Sequence, residues 1–165
     1  MKYILTIIYS LGVTIINAQN APVYPKLMAY AGTLHPIVTF SKHKTTTNFD
    51  GYYLVGIPVG INILRNAKLG FSAEFVPFIR SEKGLSKMNN FLFHPGVLVA
   101  LGHGYTFAGR AAFETSGRYG VTPVLNKIFR KSKDFSYYVS LPFPLRFGND
   151  LPTSFNIGFQ CGIVF

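Results

Sequence analysis

The sequence predicts an all-β fold: a closed antiparallel transmembrane β-barrel, with eight strands the best match to its length. Three observations predict it. Residues 154–165 alternate almost without error, with Phe155, Ile157, Phe159, Cys161, Ile163 and Phe165 on one parity and Ser154, Asn156, Gly158, Gln160, Gly162 and Val164 on the other. A strand sends successive side chains to opposite faces, and about 9–11 tilted residues cross a bilayer. The same period of two recurs through most of the chain, with little at 3.6. Finally, 48% of residues are hydrophobic and only 13% are charged, where a soluble domain carries about 25% charge. That is too little charge to wet a whole outer surface.

The first residues read as an export signal. Lys2 gives one positive charge, Tyr3 to Ile16 is mostly apolar, and small Ala18 precedes a cleavage point. This is the layout of a secretory signal peptide over residues 1–18. The apolar run is shorter than the roughly 20 residues of a spanning helix. The barrel would then occupy residues 19–165 as one domain. No other stretch has the apolar length of a helical span.

Lys26 to Phe40 reads as a first, irregular strand. Tyr30 and Leu34 blur its face, so its parity stays open. The next hairpin is regular: Tyr53, Val55, Ile57, Val59, Ile61 and Ile63 form an oily face, Arg65-Asn66-Ala67 turns, and Leu69, Phe71, Ala73, Phe75 and Ile79 continue it. A polar loop, Arg80 to Asn89, leads to a second hairpin. There Phe91, Phe93, Val97, Val99 and Leu101 pair across Gly102-His103-Gly104 with Tyr105, Phe107, Gly109, Ala111 and Phe113. Tyr119 to Phe129, interrupted by Pro123, is the eighth strand that an even count requires. The alternative is seven strands and a long loop from Gly117 to Asp134. Tyr137 to Phe147 and the C-terminal strand make the last hairpin. Pro58, Pro95, Pro142 and Pro144 fall inside strands, where proline removes a ladder donor, and are expected at bulges or bends.

A sheet in lipid must close, because lipid cannot satisfy backbone groups at an edge. A soluble barrel would turn its oily face inward and cover its outside with charge. Here the even positions hold mainly Gly, Ser, Asn, Pro and Ala, which suit a narrow eight-stranded interior. Taken with the export signal and the Ile163-Val164-Phe165 ending, the chain resembles the small outer-membrane β-barrel families of Gram-negative bacteria, including the outer-membrane protein A-like transmembrane domain. The Asn17-Ala18-Gln19 junction is similar to signal junctions in Bacteroidetes. The resemblance implies an outer-membrane location and handling by the barrel-assembly machinery, with Phe159, Cys161, Ile163 and Phe165 as the C-terminal assembly signal.

Charged residues of inward parity are the candidate site: Glu74, Arg110, Glu114 and Arg146, with His94 as a neighbour. Buried charges persist only when paired, so an internal salt-bridge network that plugs the lumen is expected. The other reading is a narrow ion or solute path. Lipid A deacylases resemble the chain in size, but their His-x-Ser motif is missing: residues two after His35, His43, His94 and His103 are Ile37, Thr45, Gly96 and Tyr105. No enzyme, cofactor or metal site is expected. Cys161 allows no intrachain disulfide and reads as a small hydrophobe.

The formal charge is +10. The bases are not clustered on a helix, which with export argues against nucleic acid. Lys42, Lys44, Lys83 and Lys87 are expected in outer loops, where they could meet lipopolysaccharide phosphates. The expected role is structural or loop-displaying, with outer-membrane lipids and lipopolysaccharide as neighbours. A channel is the first alternative and a lipid-modifying enzyme the second. The sequence leaves ligand and oligomeric state open.

Overall fold

The alternating segments fold into one antiparallel sheet in the computed structural model, which describes residues 23–165. The expected signal peptide and the junction at Gln19 lie outside the described residues. The strand segments are β1 (Lys26–Ser41), β2 (Lys44–Thr47), β3 (Tyr53–Gly56), β4 (Val59–Leu64), β5 (Leu69–Glu82), β6 (Leu85–Gly102), β7 (Tyr105–Glu114), β8 (Tyr119–Lys131), β9 (Ser136–Pro142), β10 (Leu145–Phe147) and β11 (Ser154–Val164).

These segments make a ring of eight staves. β3 and β4 are one stave broken at Pro58, and β9 and β10 are one stave broken at Phe143 and Pro144. β2 folds back on the end of β1. β8 is a full stave paired with β7 and β9, so the alternative of seven strands and a long loop is set aside. Chain neighbours pair in order, and β1 pairs with β11 from Tyr30↔Val164 to Ser41↔Ser154. Below that register Ala29 and Phe165 exchange two backbone hydrogen bonds of 2.8 and 2.9 Å. A ladder that returns to its first strand presents no row of unpaired groups.

The two parities separate cleanly. Val59, Ile61, Ile63, Leu69, Phe71, Phe75, Val97, Phe107, Phe113, Val121, Leu141, Phe159 and Ile163 are all exposed on the outside of the ring. Between them, Leu34, Val76, Phe78, Leu92, Ala112, Leu98, Ala108 and Val124 are buried inside. Small inward residues leave room for large inward neighbours, as Gly60 does for Tyr30, its partner on the adjoining strand. A Cβ on Gly60 would come within 2.5 Å of the Tyr30 hydroxyl.

Register shifts fall at Pro36/Val38, Phe78/Ile79, Ala100/Gly102 and Ile128/Arg130. None of these shifts falls at Pro58, Pro95, Pro142 or Pro144, the prolines expected at bulges or bends. Pro58 and Pro144 instead interrupt their staves, and Pro95 stays in register with Ala73. A proline removes its own donor, which breaks the ladder locally without inserting a residue. The shift after Pro36 explains why β1 had no readable face. Tyr30 and Leu34 point inward, but beyond the extra residue Phe40 pairs with outward Phe155, so the parity changes midway.

The polar loop expected from Arg80 to Asn89 is also corrected. β5 and β6 continue as a paired hairpin through Arg80↔Lys87 and Glu82↔Leu85. Only Lys83 and Gly84 turn, at φ 52° and 77°, the positive pair that a two-residue hairpin turn demands.

Candidate functional site in the lumen

The inward charges meet in one hydrogen-bonded network. β5 carries Ser72 and Glu74, β6 carries His94, β7 carries Arg110 and Glu114, β8 carries Thr122 and β10 carries Arg146. Each is even-numbered on a regular stretch, so the pleat alone aims all of them into the ring. Arg110 Nη1 donates to Glu74 Oε1 at 2.8 Å, and its Nη2 donates to the Tyr30 hydroxyl at 3.0 Å and to Ser72 Oγ at 3.2 Å. Tyr30 in turn donates to Glu74 Oε2 at 3.0 Å. Gln160 Nε2 donates to the Tyr138 hydroxyl at 2.9 Å and reaches Glu74 Oε2 at 3.4 Å.

His94 carries the network onward. Its Nδ1 lies 3.0 Å from Glu74 Oε1 and its Nε2 lies 2.7 Å from Thr122 Oγ1. A carboxylate only accepts, so Nδ1 bears the proton; in a neutral ring Nε2 accepts from the Thr122 hydroxyl. Thr122 Oγ1 also accepts from Arg146 Nη1 at 2.9 Å. Arg146 Nε donates to Glu114 Oε1 at 2.8 Å, while Asn90 and Ser116 donate to Glu114 Oε2 at 2.8 and 3.0 Å. All five sequence-selected residues are thus members of one network. Arg110 and Glu114 share a face, as their spacing requires, but each pairs with a side chain two strands away rather than with the other.

This network forms a partition between two cavities, and within it Glu74 is 1% exposed and Thr122 0%. On one side lies a cavity of about 500 Å³, lined by Lys26, Asn62, Thr106, Asn126 and Tyr138 among others. On the other lies a cavity of about 430 Å³, lined by Leu34, Leu54, Phe78, Asn90, Arg118 and Asn156 among others. Arg110, Val124 and Gln160 contribute to both walls. The charges within the partition cancel: Glu74 faces Arg110 and Glu114 faces Arg146.

No family model and no curated protein matches the chain. Among solved structures it is similar to a protein from the de novo design of transmembrane β-barrels, at 12% identity and a TM-score of 0.48, over 88% of this chain and 98% of that one. It is similar to the de novo designed TMB2.3, at 11% identity and a TM-score of 0.46, over 86% and 94% of the two chains. It is also similar to the outer membrane protein OprG from Pseudomonas aeruginosa, at 6% identity and a TM-score of 0.42, over 84% and 93%.

Several members of the network were not singled out from the sequence. Ser72 and Gln160 had legible inward parity but carry no charge, Thr122 lies on the proline-interrupted strand to which no face was assigned, and nothing in one sequence ranks one neutral polar residue above another. Tyr30 was hidden by the parity change in β1. Arg118 precedes β8 and was not selected; its Nη2 donates to the carbonyls of Arg146 and Pro152 at 3.1 and 2.9 Å.

The selected lysines sit at one rim. Lys42 and Lys83 occupy the tight turns, whereas Lys44 and Lys87 lie in β2 and β6 rather than in loops, and all four are exposed. The opposite rim is also basic, with Lys26, Arg65, Lys68, Lys131 and Lys133 beside Asp134. Phe159, Cys161, Ile163 and Phe165 all face outward along the closing strand. Thr33 Oγ1 lies 3.5 Å from Cys161 Sγ across the seam.

Proposed function

We propose that this protein is an outer-membrane β-barrel with a plugged lumen, serving the cell envelope as a structural element that displays its rim loops. One observation carries the reading: a continuous outer belt of exposed Phe, Ile, Leu and Val surrounds an interior that holds the paired charges. In water such a belt is far larger than the apolar patches soluble monomers expose. In lipid it is the expected surface. β11 has 11 residues and β5 has 14, enough to cross a hydrocarbon core when tilted.

Polar groups on the belt support the same placement. The His35 ring and the Tyr53 hydroxyl satisfy one another at 2.8 Å. Lys127 faces outward near one end of β8, and its ammonium bends back to the His103 carbonyl at 2.6 Å and over the Tyr105 ring at 3.8 Å. A long cation at a membrane boundary snorkels in this way. Aromatic pairs mark both ends of the belt, Phe40–Phe155 and Tyr119–Phe147 at one and Phe129–Tyr137 at the other. In this reading the export signal delivers the chain and the C-terminal aromatics guide its assembly. The partition favours a closed barrel over a channel; Thr122, His94 and Glu74 line up as hydroxyl, base and acid, but Thr122 is 0% exposed inside the ring and faces no lipid.

Fractionation tests the proposal. The protein should co-fractionate with outer membranes, resist extraction without detergent, migrate faster before boiling than after, and give no steady conductance in planar bilayers. Reversing the charges of Lys42, Lys44, Lys83 and Lys87 should lower retention only in membranes with lipid A phosphates. A freely soluble protein would overturn the placement. Conductance steps that change on Arg146→Ala would replace the plug with a channel.

A further inference from the structure

We infer that the 430 Å³ vestibule above the partition is a binding site for a small amphiphilic monoanion, a carboxylate with a short hydrocarbon tail. Its wall is unusual for the interior of such a ring. Leu34, Leu54, Phe78 and Leu92 form an apolar floor from β1, β3, β5 and β6. Leu34, Phe78 and Leu92 are already buried against one another, so the apolar surface that gains by being covered is that of half-buried Leu54 and exposed Leu151. Pockets of about 300–1,000 Å³, mainly apolar with a few fixed polar groups, are the usual form of small-ligand sites.

The polar groups at the mouth select the head. Glu114 is neutralised by Arg146 and filled by Asn90 and Ser116, and Glu74 is held by Arg110 and Tyr30. Arg80 is paired with Glu82 at 3.0 Å and lies over the Tyr52 ring at 3.9 Å. Arg118 alone among these cations has no carboxylate partner among the described residues. Its Nη2 is held in place by two carbonyls, and its Nε is buried with no hydrogen-bond partner. A fixed, half-buried guanidinium with no carboxylate partner, lining the same cavity as an apolar floor, matches a carboxylate head above a hydrocarbon tail. The inference goes beyond the envelope role and rests on the membrane placement, whose failure would show separately as a chain that does not load into the discs.

The test uses the full chain in phosphatidylcholine nanodiscs, so that no lipid offers a lone anionic head. Octanoate and octanol are titrated by calorimetry against loaded and empty discs. Octanoate should bind saturably above the empty-disc background, and octanol at least about tenfold more weakly, the loss expected for one charge-assisted hydrogen-bonded contact. Arg118→Gln should weaken octanoate by a similar factor and leave octanol unchanged. Leu54→Asn, on the wall and clear of the ion pairs, should weaken both. Equal affinity of the native protein for octanoate and octanol overturns the inference without any variant. So does octanoate binding no greater than in empty discs, or binding unaffected by Arg118→Gln in a protein that still shows heat-modifiable migration.

Discussion

Glu74 accepts from Arg110, Tyr30 and Gln160 and is bonded to His94, and no water-exposed surface remains to it. Such a carboxylate is held by its partners, and they by it. Removing one charge of a buried pair commonly costs about 3–5 kcal/mol, because the other is left buried and uncompensated. Glu74→Gln keeps the shape and one acceptor oxygen but strands the Arg110 guanidinium. We expect it to lower the urea-unfolding stability of the vesicle-folded protein by about 3 kcal/mol. A loss below about 1 kcal/mol, the size of an ordinary exposed pair, would show that Arg110 finds compensation elsewhere. At this scale the charged members were legible and the neutral ones were not. Thr122 joins His94 to Arg146 through a single oxygen, and no sequence pattern announces that placement.

At the scale of the strand, alternation is informative while the ladder is unbroken. β4, β5, β7 and β11 follow their sequence parity to the last residue, because one extra residue would turn a whole greasy face inward. β1 does not, because the extra residue after Pro36 reverses its second half. Pro58 and Pro144 interrupt their staves, Pro95 stays in register with Ala73, and the inserted residues lie elsewhere. The seam between β1 and β11 turns a sheet into a ring, and its last rung is held by Phe165. Deleting Phe165 removes two backbone bonds to Ala29, a loss of about 2 kcal/mol at roughly 1 kcal/mol each. The fraction running as the compact band before boiling should fall. An unchanged fraction would mean that the rungs from Tyr30↔Val164 upward close the ring without it.

For the whole molecule, the outside is apolar and continuous, the centre holds paired, buried charges, and both rims are basic. Composition alone foretold the first, since a chain with 13% charged residues cannot wet both faces of a sheet. The pairing needed coordinates, because Glu74 with Arg110 and Glu114 with Arg146 each skip one strand of the ring and depend on the stagger of the strands. So did the vestibule, whose floor gathers residues from four strands.

The central claim is that the outward rows contact hydrocarbon. Spin labels placed singly at Phe71, Ala73 and Phe75 of β5 and Phe107 and Ala111 of β7, in a Cys161→Ala background, test it in reconstituted vesicles. Labels at Lys83 and Ser132 report the rims. Every strand site should be open to oxygen and closed to a water-soluble nickel chelate, with the order reversed at both rims. Strand sites reached by the chelate as readily as the rims, or reached by neither reagent, would contradict the account.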